Sequence, residues 1–234
     1  MVPTHPAIVG AVADRDTLTA LPDLEDIIQL CDYVEFRVDA LLENEALLVR
    51  RLADCSRPIL ITVRDPVEGG LFNLTPQDRQ QRMLDFLPHT TLLDIEIRNL
   101  EAFGQVVSKA KSQGVSIVAS YHDFLTTPPR ESLDEAVQRG LAGGADIIKL
   151  AVTTENALDL HTLLQLQEDT RSQAPLTVMG MGVLGMSSRV VAAQAGALLT
   201  YTYLKEANAP GQWSAHLMRH LFDELGIERP SLTS

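Results

Sequence analysis

The chain has 234 residues, of which 45% are hydrophobic and 21% charged, a composition typical of a globular protein with a substantial buried core. Its 31 acidic and 19 basic residues give a formal net charge of −12, which argues against a surface for nucleic acid or anionic membranes. No apolar run reaches the ~18 residues of a membrane span, and the N-terminus lacks the basic-then-apolar order of a signal peptide. Cys31 and Cys55 have neither disulfide-framework nor zinc-site spacing. We therefore expect a cytoplasmic, reduced protein without a metal site.

Short runs of β-branched and apolar residues recur along the chain and predict eight strands. Their spacing of roughly 25–30 residues leaves room for a helix and two loops between successive strands, as in βα units. The predicted strands are Ala7–Val12, Tyr33–Val38, Ile59–Val63, Leu92–Ile97, Val115–Ser120, Ala145–Val152, Leu176–Met179 and Ala197–Tyr203.

Helix signals lie between these runs. Thr75, Pro76 and Asp78 predict a helix start with an N-cap, a proline at the first position and an acidic first turn. Ser132 and Glu135 have the spacing of a capping box. Leu217, Leu221 and Leu225 form an apolar stripe before Gly226 and predict a final helix.

Eight strands alternating with helices predict a single α/β domain over residues 1–234, a (β/α)8 TIM barrel. The competing fold, a doubly wound open sheet, predicts a glycine fingerprint after the first strand. The segment from Gly10 to Asp14 has no GxGxxG, so the barrel is favoured.

Active sites of such barrels form at the carboxyl ends of the strands, where this sequence carries most of its notable charges. Lys149 lies within an apolar strand, and a desolvated lysine has a lowered pKa that lets its amine attack a carbonyl. The alternative is a structural lysine that reaches solvent or pairs with Asp146. His122 ends the preceding strand and would lie near Lys149 as an acid–base group, although a lone histidine is more often structural.

Three arginines, Arg37, Arg64 and Arg189, follow different strands, and guanidinium groups bind carboxylates and hydroxyl groups through directed hydrogen bonds. The alternative is salt bridging within the barrel mouth, for example between Arg37 and either Glu35 or Glu68.

Taken together, these strand ends resemble type I 3-dehydroquinate dehydratase, the Schiff-base class of the shikimate pathway. The matching segments occur in the family's order over nearly the whole chain. They are Glu35–Asp39, Thr62–Arg64 with Glu68–Gly70, Ser120–Phe124, Ala145–Ala151, Met181–Gly182 with Ser188–Arg189, and Ala209–Gln212.

The resemblance implies an aldolase-type barrel that converts 3-dehydroquinate to 3-dehydroshikimate without a metal or organic cofactor, as a cytoplasmic homodimer. It assigns the imine to Lys149, proton transfer to His122 and the support of that histidine to Glu68. It also implies a set of substrate-binding residues. Ring hydroxyls would be bound by Glu35, Arg37 and Arg64, and the carboxylate by Arg189, Gln212 and Asn208, the last standing where some members have serine.

Two other functions fit the same residues. A class I aldolase would use the same lysine to break a carbon–carbon bond. A non-catalytic barrel would bind an anionic metabolite through its arginines. Trapping of an imine distinguishes the enzymes from the binding protein, and formation of a conjugated enone distinguishes the dehydratase from the aldolase.

Overall fold

The computed structural model describes residues 2–207 and 211–230, and it contains every predicted strand with shifts only at the ends. Three strands, β5, β6 and β7, run further toward the carboxyl end than predicted. A ninth short strand, β9, was not predicted. The strands are β1 Ala7–Val12, β2 Tyr33–Arg37, β3 Ile59–Thr62, β4 Leu92–Glu96, β5 Ser116–Asp123, β6 Ile147–Thr153, β7 Leu176–Met181, β8 Leu199–Tyr203 and β9 Trp213–Ser214.

All strands are parallel, in the order β7-β6-β5-β4-β3-β2-β1-β8-β9. This consecutive order lacks the reversal of a doubly wound sheet. The sheet curls until β7 meets β8, where the Leu198 amide donates to the Leu176 carbonyl at 3.4 Å and the Leu199 amide donates to Thr177 Oγ1 at 2.9 Å. The fold is therefore the predicted (β/α)8 barrel.

Helices follow the strands and cover the outside of the barrel. They are α1 Arg15–Ala20, α2 Glu25–Ile28, α3 Val38–Leu41, α4 Glu45–Asp54, α5 Pro76–Phe86, α6 Gly104–Ser112, α7 Arg130–Ala142, α8 Ala157–Thr170, α9 Gly185–Gln194 and α10 Ala215–Glu224. The start of α5 is as predicted, with Thr75 and Asp78 forming a reciprocal capping box and Pro76 at the first position. Among the described residues, no helix has both the length and the apolarity needed to cross a membrane.

Two helix predictions were wrong in detail. Helix α7 begins at Arg130, directly after the extended Pro129, so Ser132 lies in the first turn and its amide donates to the Pro129 carbonyl at 3.0 Å. In α10 the buried face includes Met218 and Phe222, whereas Leu217 is 40% exposed. The leucine stripe therefore does not face the barrel, because the helix presents its neighbouring positions to β1 and β8.

The strands separate two layers of buried side chains. The outer layer packs between sheet and helices and forms the large apolar core. The inner layer has an apolar floor toward the amino ends of the strands that includes Tyr33, Leu60, Leu92, Val118 and Ile147. Two positions further along the same strands, the inward side chains become polar while remaining buried. These are Glu35, Thr62, Asp94, Ser120 and Lys149. The period of two thus places a buried polar cluster above an apolar floor.

Candidate active site

A cavity of about 190 Å³ opens at the carboxyl ends of the strands. It brings together eight of the nine side chains that the sequence singled out: Glu35, Arg37, Arg64, Glu68, His122, Lys149, Arg189 and Gln212. The ninth, Asn208, lies outside the described residues. A larger groove of about 950 Å³, lined by Gln167, Arg171 and others, contains none of these residues.

Lys149 projects from β6 into this cavity and is only 4% exposed. Its Nζ lies 3.2 Å from Asp94 Oδ2 and 4.0 Å from the centroid of the Tyr201 ring. Burial lowers the pKa of the amine, and the nearby Arg64 charge lowers it further, although the Asp94 carboxylate acts in the opposite direction. The site therefore shifts the amine toward its neutral, nucleophilic form.

Pairing of Lys149 with Asp146 is ruled out as the alternative. Asp146 accepts a hydrogen bond from the Ile117 amide at 2.7 Å and lies 3.5 Å from Lys111 Nζ. Lys149 instead projects into the barrel, where its Nζ lies 3.2 Å from Asp94 Oδ2, so its carboxylate partner is Asp94 and not Asp146.

His122 and Glu68 form a buried pair beside the lysine. Glu68 Oε2 lies 3.0 Å from His122 Nδ1 and also accepts the His122 amide at 3.0 Å. Burial, with the charges of Arg64 and Lys149, holds the pKa of His122 well below its ordinary value. The imidazole is therefore neutral at neutral pH, and with Nδ1 donating to Glu68, Nε2 carries the lone pair of a general base.

The carboxyl group of Glu68 has a pKa close to neutral pH. Burial raises the pKa of its carboxyl to about 7, against the charge of Arg64. A 3₁₀ turn, Pro66–Glu68, presents the side chain and ends at Gly69, whose φ of 88° is in the left-handed region. A Cβ at Gly69 would lie 2.9 Å from the Phe124 ring, so glycine also allows that ring to pack closely against the turn.

Arg189, on α9, is 4% exposed and has no ion-pair partner among the residues that the structure describes. Its Nε donates to the Gly211 carbonyl at 2.8 Å and its Nη1 to the Tyr201 carbonyl at 3.2 Å. Burial lowers the pKa of the guanidinium to about 10, so it remains charged at neutral pH. A buried cation held only by neutral groups is suited to an anionic ligand.

Comparison with known proteins decides the family. The model of the type I 3-dehydroquinase family matches residues 11–229. The chain belongs to the type I 3-dehydroquinase family. Among its relatives, the 3-dehydroquinate dehydratase of Thermodesulfovibrio yellowstonii is 32% identical over 226 residues, covering 95% of this chain and 96% of the relative.

Solved structures of the same family agree with this assignment. The crystal structure of 3-dehydroquinate dehydratase from Geobacillus kaustophilus superposes with a TM-score of 0.86 at 27% identity, covering 95% of this chain and 92% of that one. The type I enzyme from Clostridium difficile, crystallised with covalently modified comenic acid, gives 0.83 at 25% identity, covering 96% and 94%.

The guanidinium of Arg64 has three side-chain hydrogen-bond partners within the protein. Its Nη2 donates to Asp94 Oδ2 at 3.0 Å, and its Nη1 donates to Glu96 Oε1 at 2.9 Å and to Ser120 Oγ at 2.6 Å. Arg79, from α5, forms a short ion pair with Glu96. Although burial alone would raise the pKa of Asp94, the charges of Arg64 and Lys149 hold it well below its usual range.

Arg37 pairs with a different carboxylate from those expected. Its Nε and Nη2 donate to the two oxygens of Asp39 at 3.0 and 2.8 Å, and not to Glu35 or Glu68. Glu35 instead accepts the Thr62 hydroxyl at 2.7 Å. Asp39 lies two residues from Arg37 in the chain, and the two side chains form a bidentate pair.

Sequence reasoning gave no role to Asp94, Glu96, Ser120 or Tyr201, all of which are buried at the site. Two features of the sequence could have indicated that these residues face the site. Asp94 and Glu96 are alternate residues of an apolar strand, and Leu199, Tyr201 and Tyr203 alternate with threonines in β8. Such alternation marks polar side chains that face the barrel interior.

Proposed function

We propose that this chain dehydrates 3-dehydroquinate to 3-dehydroshikimate through an imine on Lys149. The observation that carries the proposal is the buried amine of Lys149, which shares one cavity with the neutral imidazole of His122. Membership of the type I family supplies the substrate. The covalently modified ligand in the Clostridium difficile relative is consistent with covalent chemistry in this family.

The proposed reaction begins when the Lys149 amine adds to the ring ketone and water is lost, giving a protonated imine. This cation is an electron sink that acidifies the adjacent carbon, from which His122 Nε2 takes a proton. The resulting enamine expels the tertiary hydroxyl, which His122 protonates as it leaves. Hydrolysis then releases the product and the free amine. Because one histidine serves both transfers, proton and hydroxyl must leave from the same face, a syn elimination.

The remaining residues of the cavity are proposed to position the substrate. Glu68 holds the imidazole of His122 through Nδ1. Arg189, which lacks a protein carboxylate among the described residues, and Gln212 bind the substrate carboxylate. Glu35, Arg37 and Arg64 bind ring hydroxyls, with Arg64 also fixing Asp94 beside the amine. Asn208 is proposed to contact the carboxylate on the family motif alone.

The decisive experiment treats the protein with 3-dehydroquinate and sodium borohydride. We expect intact-mass spectrometry to show a reduced substrate adduct that peptide mapping places on Lys149, and the untreated reaction to develop the absorbance of the conjugated enone. Lys149→Ala should give neither signal, yet should still bind substrate because the arginines remain. Lys111→Ala, which removes a partly exposed lysine away from the cavity, serves as the control.

Each outcome has a separate meaning. An adduct without the enone would indicate an aldolase, and binding without an adduct would indicate a non-catalytic barrel. An adduct on Lys205 would contradict the assignment of the amine.

We also propose that the chain acts as one barrel domain in a cytoplasmic homodimer, on the basis of the family resemblance and the acidic composition. Sedimentation equilibrium should give twice the chain mass. A monomer that is fully active would contradict the dimer.

A further inference from the structure

Tyr201 lines the active-site cavity but has no role in the reaction described above. It lies in the middle of β8, where Leu199, Tyr201 and Tyr203 alternate with threonines. The side chain is 4% exposed, and its ring face covers Lys149 Nζ at 4.0 Å from the centroid. The ring therefore forms one wall of the space in which the amine reacts.

The hydroxyl group of Tyr201 is buried and, in the part of the chain that the structure describes, has no hydrogen-bond partner. Leaving a buried hydroxyl unpaired is unfavourable, and phenylalanine would provide the same ring without it. Neighbouring hydroxyls differ in this respect, since Thr62 donates to Glu35 at 2.7 Å and Ser120 donates to Asp94 at 2.5 Å. The Tyr201 hydroxyl is thus a buried donor without an acceptor among the described residues, on a side chain that lines the cavity.

The surroundings keep this donor protonated. Burial, followed by the negative charges of Glu35 and Asp94, raises the pKa of Tyr201 well above its ordinary value. At neutral pH the group is therefore a neutral O–H.

We propose that the Tyr201 hydroxyl donates a hydrogen bond to the ketone oxygen of the substrate while Lys149 attacks the attached carbon. The inference rests on the proposed function. It is drawn from the juxtaposition of the ring with Nζ, because the carbonyl carbon that Nζ attacks must come within bonding distance of Nζ and therefore close to that ring.

The step balances without a further reactant. The Nζ lone pair forms the C–N bond, and the π electrons of the C=O bond move onto oxygen, which gains negative charge. Tyr201 keeps its own proton and stabilises that charge through the hydrogen bond, as an oxyanion donor does. Tyr201 thereby assists formation of the imine and takes no part in the later elimination.

The test compares Tyr201→Phe with wild type in a single turnover. Enzyme is mixed in excess over 3-dehydroquinate, at concentrations above the dissociation constant of the complex. The mixture is quenched with borohydride at successive times, and the adduct on Lys149 is measured by mass spectrometry. We expect Tyr201→Phe to form the adduct about three- to tenfold more slowly, the effect of losing one neutral hydrogen bond. Its thermal unfolding midpoint should be equal or higher, since the variant removes an unpaired buried hydroxyl.

Tyr203→Phe is the matched control, because it deletes the same group two residues further along β8, outside the cavity lining. It should react at the wild-type rate.

Three results would overturn the inference. Adduct formation by Tyr201→Phe at the wild-type rate would do so, as would a higher KM with an unchanged rate at saturation, which would place the hydroxyl against another part of the substrate. Wild-type protein that forms neither adduct nor enone would overturn the proposed function together with this inference. The first two results leave the proposed function intact.

Discussion

At the scale of single residues, the site depends on burial acting in opposite directions on neighbouring groups. Burial shifts the pKa values of Lys149 and His122 downward and that of Glu68 upward, while the charge of Arg64 helps to hold the pKa of Asp94 well below its usual range. One small cavity therefore holds both a nucleophilic amine and a neutral base. Such a combination is costly for the fold and useful for acid–base chemistry.

Glu68→Gln should change how the free energy of unfolding depends on pH. The carboxyl has a pKa of about 7 in the folded chain, above its value of 4.5 in the unfolded chain, so the folded state prefers the protonated form. The contribution of this carboxyl to wild-type stability is therefore fully present below about pH 4.5 and is lost as the pH rises through about 7. Glutamine does not titrate, so the variant should gain on the order of 3 kcal/mol relative to wild type between pH 4 and pH 8.

Urea unfolding at several pH values measures this difference, with exposed Glu101→Gln as the control. We expect Glu68→Gln to be at least about tenfold less active, since the amide cannot hold the imidazolium electrostatically. Parallel stability curves for the variant and wild type would show that the carboxyl is not perturbed.

At the scale of elements, the loop after β8 is fixed to α9 by a contact between two glycines. A Cβ at Gly211 would lie 2.8 Å from the Gly185 Cα, and Gly211 has a φ of 78°. The carbonyl of Gly211 accepts Arg189 Nε, and the next residue, Gln212, lines the cavity. The position of both side chains therefore depends on glycine at this point.

Gly211→Ala should raise KM for 3-dehydroquinate about fivefold or more, because the displaced loop would move Gln212 and the partner of Arg189. Gly226→Ala is a matched control, since Gly226 has a φ of 67° and open space around its Cβ position. Both variants should lose about 1–2 kcal/mol of stability from left-handed backbone strain. An unchanged KM for Gly211→Ala would mean that this loop does not shape the site.

The sequence predicted the ends of helices and strands well where neighbouring residues determine them. It predicted them less well where contacts between distant elements determine them. The start of α5 depends on Thr75 and Asp78 alone, so the sequence located it. Helix α7 begins at Arg130, directly after the extended Pro129, and this local signal outweighs the capping spacing at Ser132. Strand β9 has two residues and exists only because β8 provides a partner for Trp213.

At the scale of the whole molecule, the barrel encloses a charged network across its polar interior. Asp94, from β4, contacts Arg64 and Lys149, from the neighbouring strand end and from β6. Removal of one partner from such a buried network leaves uncompensated charge, which is more destabilising than loss of a surface pair.

Asp94→Asn should therefore destabilise the fold by about 3–5 kcal/mol at pH 7. Because the pKa of Asp94 is lowered on folding, its contribution is present above the unfolded value of 3.8 and is lost as the pH falls below it. The deficit of the variant should shrink correspondingly in acid. Asp134→Asn, which removes a half-exposed partner of Arg130, should cost less than about 1 kcal/mol in the same urea titration.

By itself, the sequence determined the strands, the barrel and the side chains that meet at its mouth. The strands, the barrel and the positions of Lys149, His122 and the three arginines follow from periodicity and from the rule that parallel strands end at one face. The family resemblance added Glu35, Glu68 and Gln212. The sequence did not determine which group neutralises which charge. Lys149 meets Asp94, 55 residues away, and not the nearby Asp146. Only tertiary structure decides this, because strand pairing and burial select partners by distance in space, and they leave Arg189 at the cavity without a carboxylate partner among the described residues.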